Sequence, residues 1–376
     1  MTDSNERPFF ATAAGGTEGA LRDELRELRL PGVRAARGGV HFGGDLAHAM
    51  RACLRSRIAL RVLWRQAEFA APDPEALYEG TSRIDWSHWL EPGRTLAAFA
   101  TVKSSSITHS GFVAQKVKDA VVDRLREREG ARPNVDPRNP DVRVVVHLEK
   151  NRAQVFLDLA GDPLSKRGYR TRGGEAPLRE NLAAAVLRLG GFRPGTPIFD
   201  PMCGSGTLPI EAALWSDGRP AGGMRSFGFE RWRSFGATER AAWQLEKERA
   251  VQFADPVQTE IRGADRDPRA LAAARANARR AGVNVRFERA GLKTVQMPAP
   301  GGLVVTNPPY GVRLEKDRRW LDDFSSALAR LRGCTVVAIS ADRSLPEHVG
   351  RPAAAEHTLW NGDLECRLFT WRVTSA

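Results

Sequence analysis

The sequence predicts an α/β protein whose C-terminal half is a doubly wound, mainly parallel sheet, preceded by a smaller α+β region. Three observations carry this. Strand-like and helix-like stretches alternate from about Thr196 to Ser340. A glycine-rich turn running from Asp200 to Thr207 follows one of those strands and opens a helix. Another strand stops at Asn307-Pro308-Pro309-Tyr310, at the carboxyl edge where open sheets of this kind bind ligands.

The elements follow in order. Phe9–Ala13 reads as a strand, and Leu21, Leu25 and Leu28 repeat at helical spacing. Gly38-Gly39 turns into a strand at Val40-His41-Phe42, and Leu46 to Leu63 reads as one Arg-studded helix. The stretch around Trp86 and Trp89 is turn-rich, and Thr95–Val102 returns to strand. Phe112–Arg128 is a helix carrying Lys116, Lys118 and Arg124. Val142–Leu148 and Ala153–Leu159 alternate around a short turn and predict a hairpin. The basic, Gly-rich run Lys166–Gly174 marks a boundary between halves. Beyond it, strands are expected at Thr196–Phe199, Ile261–Ala264, Val285–Glu288, Leu303–Thr306 and Val336–Ser340. The helices between them fall at Thr207–Trp215, Pro268–Ala281 and Trp320–Leu331, and Glu365–Val373 supplies a closing antiparallel strand. An insertion between Ser216 and Pro256, rich in Arg, Trp and Phe, interrupts the spacing and is expected to cover the substrate.

The 376 residues suit two or three domains, and 42% apolar with 27% charged residues describes a globular chain. The net charge of +12 points to an anionic partner. The first hundred residues are balanced, so the excess lies in the middle and C-terminal parts without forming a basic tail. Cys53, Cys203, Cys334 and Cys366 are far apart, which argues against a disulfide framework or a zinc site and for a reducing compartment. No apolar run approaches a membrane span, and Met1–Pro8 has no signal-peptide pattern, so the expected location is the cytoplasm.

Two successive prolines remove backbone donors, so the turn at Asn307–Tyr310 offers chiefly acceptors beside an aromatic plate. Such a turn suits the exocyclic amino group of a flat base. In Asp200-Pro201-Met202-Cys203-Gly204-Ser205-Gly206-Thr207, the glycines allow a tight turn and close approach of backbone amides to a ligand. The pattern is neither a phosphate loop nor the three-glycine dinucleotide fingerprint. A carboxylate ahead of G-x-G suits a zwitterion, as at the methionine end of S-adenosylmethionine. The next strand ends in Gly263-Ala264-Asp265-Arg266-Asp267-Pro268, where an acidic residue meets a ribose diol. Asp265 is the first choice and Asp267 the second, with Asp267 also a natural cap for the helix that starts at Pro268. Asn277, within that helix, reads as structural.

In this order the three motifs resemble class I S-adenosylmethionine-dependent methyltransferases acting on exocyclic amines. Ala176-Pro177-Leu178-Arg179-Glu180-Asn181-Leu182-Ala183-Ala184 resembles the helix preceding the first cofactor motif of that superfamily. Lys118–Asp123, Arg132-Pro133-x-Val135-Asp136 and Asp158-Leu159-x-Gly161-x-x-Leu164-x-x-Arg167-Gly168-Tyr169-Arg170 resemble the THUMP-bearing RNA methyltransferases. The resemblance runs from about Phe9 to Arg372 and is greatest to the bacterial 23S ribosomal RNA guanine-N2-methyltransferase family. It implies a Rossmann-like seven-stranded methyltransferase sheet over 161–376. It also implies a ferredoxin-like segment over 1–46 and a THUMP RNA-binding domain over 47–160. The family carries a second methyltransferase in some bacteria; the single-methyltransferase form is expected here, as a monomer.

The resemblance implies S-adenosyl-L-methionine as cofactor, RNA as partner and no metal. It assigns catalysis to Asn307, Pro308 and Tyr310, and cofactor binding to Asn181, Asp200, Pro201, Gly204, Gly206, Thr207, Asp265 and Asp267. Lys103, Lys116, Lys118, Lys166, Arg167, Arg170, Arg172 and Arg313 are the expected RNA contacts. Two departures stand out. Arg289-Ala290-Gly291-Leu292 lacks the usual acidic contact to adenine, and Gly311-Val312-Arg313-Leu314 lacks the glutamate common after the catalytic turn. The competing readings are the same chemistry on tRNA, amine methylation of DNA adenine or protein glutamine, and a non-catalytic RNA-binding protein.

Overall fold

The computed structural model describes residues 7–170, 178–252, 254–294, 301–308 and 319–374. Its N-terminal half is built on one mixed sheet. The strands are β1 (Phe9–Thr12), β2 (Arg34–Ala36), β3 (Gly39–Phe42), β4 (Arg61–Ala70), β5 (Thr95–Lys103), β6 (Asn134–Val135), β7 (Val142–Glu149) and β8 (Arg152–Asp158). They lie in the order β2-β3-β1-β4-β8-β7-β5-β6. Strand β1 pairs antiparallel with β3 and β4, and β5 pairs parallel with β7 and β6. Helices α1 (Glu18–Glu27), α2 (Leu46–Arg55), α3 (Pro74–Ser82) and α4 (Ser110–Glu129) complete this half.

One expectation is corrected here. The single helix over Leu46–Leu63 ends at Arg55, and Arg61 begins strand β4. The break is tertiary in origin: the buried Glu24 carboxylate accepts the Ser56 hydroxyl and the amides of Arg57 and Ile58, which fixes an extended chain there. The stretch around Trp86 and Trp89 is turn-rich as expected, with a 3-10 turn over Trp86–His88. Ahead of it lies α3, which the sequence reading did not assign, capped by Asp73 accepting the Ala76 amide, with Pro74 in the first turn.

The C-terminal half contains α5 (Glu180–Leu189), β9 (Ile198–Asp200), α6 (Thr207–Ser216), α7 (Ala237–Gln252), β10 (Ile261–Asp265), α8 (Pro268–Ala281), β11 (Arg286–Arg289), β12 (Leu303–Thr306), β13 (Thr335–Ser340), β14 (Ala355–Asn361) and β15 (Leu364–Arg372). A seven-stranded sheet runs β11-β10-β9-β12-β13-β15-β14. It is parallel from β11 to β13, and β15 pairs antiparallel with both β13 and β14. Chain order reverses between β9 and β12. That is the switch point at which doubly wound sheets open a crevice.

The insertion does not cover a substrate site among the described residues; it joins the two halves. Phe227, Phe229, Trp232 and Trp243 are buried in the same core as Phe9, Val62 and Leu157 of the N-terminal sheet. Arg225 donates to the carbonyls of Ala160 and Asp162, both at 2.8 Å. Glu246 on α7 receives both Nε and Nη2 of Arg51 on α2 at 2.8 Å, with its own side chain only 2% exposed. At the far edge, the β14 amide of Trp360 donates to the Gly15 carbonyl at 3.0 Å. The halves are therefore clamped on two sides.

Candidate active site

The crevice is assembled from the carboxyl ends of β9, β10 and β12. Parallel pairing sets Gly263 beside Asp200 and Val304 beside Phe199, so the carboxyl ends of these three strands share one edge. The glycine loop is held by its neighbours. Its Cys203 amide donates to the Ala264 carbonyl at 2.9 Å, and its Gly204 amide donates to the Asp265 carboxylate at 2.8 Å. Asn277, on α8 and 1% exposed, donates its amide to the Ser205 carbonyl at 3.1 Å. Asn277 is thus a loop-positioning residue. Its sequence signal was a polar residue on the buried face of an Ala-rich helix.

Gly204 and Gly206 lie at φ +53° and +83°, the left-handed region that glycine occupies without strain. A Cβ on Gly204 would meet no atom within 4 Å, so the space above it is open. On Gly206 it would come within 3.0 Å of Phe287 and 3.1 Å of Ala274. The first glycine leaves open space, and the second keeps the loop packed on α8 and β11.

Asp200 is buried at 2% exposure and accepts the Met202 amide at 3.1 Å. Burial pushes its carboxyl up to about 7; the Met202 hydrogen bond opposes that rise and the nearby Asp265 charge adds to it. A buried carboxyl at this value is a ready partner for a cation. Asp265 accepts one backbone amide on each oxygen, from Gly204 and from Asp267 at 2.9 Å, which leaves lone pairs for a diol. Asp267 is exposed and accepts the Arg269 amide at 2.8 Å, the capping role. Asn181 is buried and donates weakly to the Ile58 carbonyl at 3.4 Å, while its side-chain oxygen has no protein partner.

At the end of β12, Asn307 is half-buried and Pro308 buried. The Asn307 side-chain oxygen is shielded from solvent yet accepts no hydrogen bond. An unsatisfied buried acceptor costs about 1–3 kcal/mol. Tyr310, Arg172 and Arg313 lie outside the described residues.

The expected RNA contacts divide. Lys103 and Lys166 are exposed, each beside a single surface carboxylate, Glu149 at 3.2 Å and Asp162 at 2.9 Å. Lys116 and Lys118 are half-exposed on α4. Arg167 is a correction: it is 2% exposed, donates to the carbonyls of Leu164 and Arg57, and lies 3.5 Å from the buried Glu211. No phosphate reaches it. Arg170 is corrected too, since its side chain is 17% exposed and turns inward to Glu180, Leu178 and Thr207. Sequence patterning reads both as surface charge, because nothing local announces the acidic partners that bury them.

Comparison with known proteins identifies the assembly. Residues 167–370 match the family model described as RMKL-like, methyltransferase domain. The chain belongs to this methyltransferase-domain family. Ahead of it, residues 71–158 match a THUMP domain and residues 8–63 an RlmL ferredoxin-like domain. The chain is 42% identical over 97% of its length to a ribosomal RNA large subunit methyltransferase K/L of Syntrophotalea carbinolica, covering 53% of that protein. It is also 42% identical over 98% of its length to the protein of the same name in Methylococcus capsulatus, covering 51% of it. The chain thus spans about half the length of the curated relatives it matches. The crystal structure of SMU.472 complexed with SAH superposes with a TM-score of 0.88, at 30% identity and full coverage of both chains.

Proposed function

We propose that this methyltransferase transfers a methyl group from S-adenosyl-L-methionine to the exocyclic N2 amine of a guanine in 23S ribosomal RNA. The observation that carries the reading is the unpartnered Asn307 oxygen at the carboxyl edge of β12, next to the switch point. The names of the curated relatives and the SAH complex of the 30%-identical structure support it.

The residues present fit the cofactor. Open space above Gly204 admits a ligand against the loop, Asp200 faces a cationic group, and Asp265 retains acceptor capacity for a ribose. When bound, the cofactor supplies an electrophilic methyl group. Toward the base, the Asn307 oxygen and the Pro308 carbonyl accept the two N2 hydrogens. This draws the nitrogen lone pair out of conjugation and aims it. Tyr310 sets the plane of the ring by stacking. Alignment and preorganised dipoles provide the acceleration, and no strong base is required, because the amine proton becomes acidic once the nitrogen is alkylated. A paired guanine must leave its helix to enter, at a cost of a few kcal/mol. Lys103, Lys116, Lys118 and Lys166 hold the RNA through phosphates, with residues 47–160 as the RNA-binding part.

Replacing Asn307 with Ala tests this reading. Turnover falls at least about a hundredfold, as on loss of one preorganised transition-state contact, while SAH affinity stays within about twofold. A variant that retains half the wild-type rate contradicts the assignment.

A further inference from the structure

Arg170 is the loose end of the site just described. Its guanidinium has five N–H donors. The Nε–H goes to Glu180 at 2.8 Å, and Nη2 donates to the Leu178 carbonyl at 3.1 Å and the Thr207 hydroxyl at 3.0 Å. The Nη1 nitrogen, buried from solvent, has no hydrogen-bond partner. A charged group left partly unpaired in a shielded position is costly, and a ligand that completes it is one way a native chain accommodates the cost.

Its neighbours indicate the sign of that ligand. Thr207 is the first residue of α6, so the guanidinium sits at the positive end of a ten-residue helix. No side chain caps that end, because the cap position is Gly206. A cation beside an uncapped helix N-terminus is held by one carboxylate, Glu180, and the combination favours a second anion. The glycine loop ends at this same residue.

We infer that Arg170 is a cofactor-binding residue, whose free Nη1 edge and the first-turn amides of α6 hold the carboxylate of the amino-acid end of S-adenosylmethionine. The inference rests on the cofactor reading above. It reassigns a residue that the sequence presents as an RNA contact. Glu180 becomes a positioning residue that fixes the fork by gripping Nε. With Asp200 facing the ammonium, the two ends of the zwitterion are met by opposite charges.

The test is calorimetric binding to the full chain, using SAH and 5′-methylthioadenosine, which lacks the amino-acid end. Arg170→Met weakens SAH about ten- to hundredfold, the worth of a lost hydrogen bond to a charged group, and leaves 5′-methylthioadenosine within about twofold. Arg170→Lys retains part of the SAH affinity. With the unaltered protein, SAH bearing an amide in place of its carboxylate binds about tenfold more weakly than SAH, a readout independent of whether any variant folds. Equal weakening of both ligands by Arg170→Met overturns the inference, as does undiminished binding of the amidated ligand. If the unaltered protein binds 5′-methylthioadenosine but gains nothing from SAH, the Arg170 assignment fails while the cofactor pocket stands. If neither ligand binds, the cofactor reading fails first.

Discussion

Replacing Asp200 with Asn removes a titration that the fold makes expensive. In the folded chain this carboxyl is raised to about 7 from an ordinary 3.8, and burial is the main cause. The folded state therefore holds a proton that the unfolded state releases over that interval. The stability this lends is fully present below about 3.8 and is lost as pH rises through about 7. The gap of about 3 pH units, at about 1.4 kcal/mol each, amounts to ~4 kcal/mol of strain in the ligand-free protein at pH 8. Between pH 5 and 8 the share is ~3 kcal/mol. Asn retains an oxygen for the Met202 amide and has no charge to bury. Urea denaturation of both proteins at pH 5, 6, 7 and 8 reads the effect, because titrating groups away from Asp200 cancel in the difference. Asp200→Asn should be the more stable at pH 8, by ~3 kcal/mol more than at pH 5, and should bind SAH poorly at every pH. A stability difference that does not change with pH refutes the argument.

Other expectations follow from the same geometry. SAH affinity of the unaltered protein falls about tenfold from pH 8 to pH 6, because the ammonium requires the ionised Asp200; isothermal titration across that range measures it. Gly204→Ala places a methyl in open space at φ +53°. It costs about 1 kcal/mol of stability yet displaces the ligand, so SAH binding drops far more than the denaturation midpoint. Gly206→Ala drives its Cβ to 3.0 Å from Phe287 and costs about 2 kcal/mol of stability, read by the same denaturation. Glu246→Ala leaves Arg51 without its buried partner. It lowers stability by about 3 kcal/mol and exposes the seam between α7 and α2 to proteolysis, while SAH affinity in the surviving folded fraction is unchanged.

How much could be read in advance depended on whether the signal was local. Helix α8 falls where its boundaries announce it, between the Asp267-Pro268 cap and Gly282 in a left-handed conformation. Strand β12 was legible because an apolar run ends at prolines. The helix expected over Leu46–Leu63 failed because Glu24, about thirty residues earlier in the chain, captures the amides that would have continued it. Strand β14 went unseen since its exposed edge pattern carries little apolar alternation. The site motifs were recognisable as short patterns, whereas the partners of the supporting groups were not. Asn277, Glu180 and Arg170 act through contacts 10 to 72 residues away in sequence. For Arg167 and Arg170, charge implied exposure, and only the fold supplies the acidic partners that draw them inside.

The central claim is amine methylation of a guanine in large-subunit RNA. Its most direct test is incubation of the protein and labelled S-adenosylmethionine with total RNA from a strain lacking this gene, followed by size separation and nucleoside identification. The account predicts label as N2-methylguanosine in 23S RNA. Label confined to tRNA, or appearing on any other nucleoside, contradicts it.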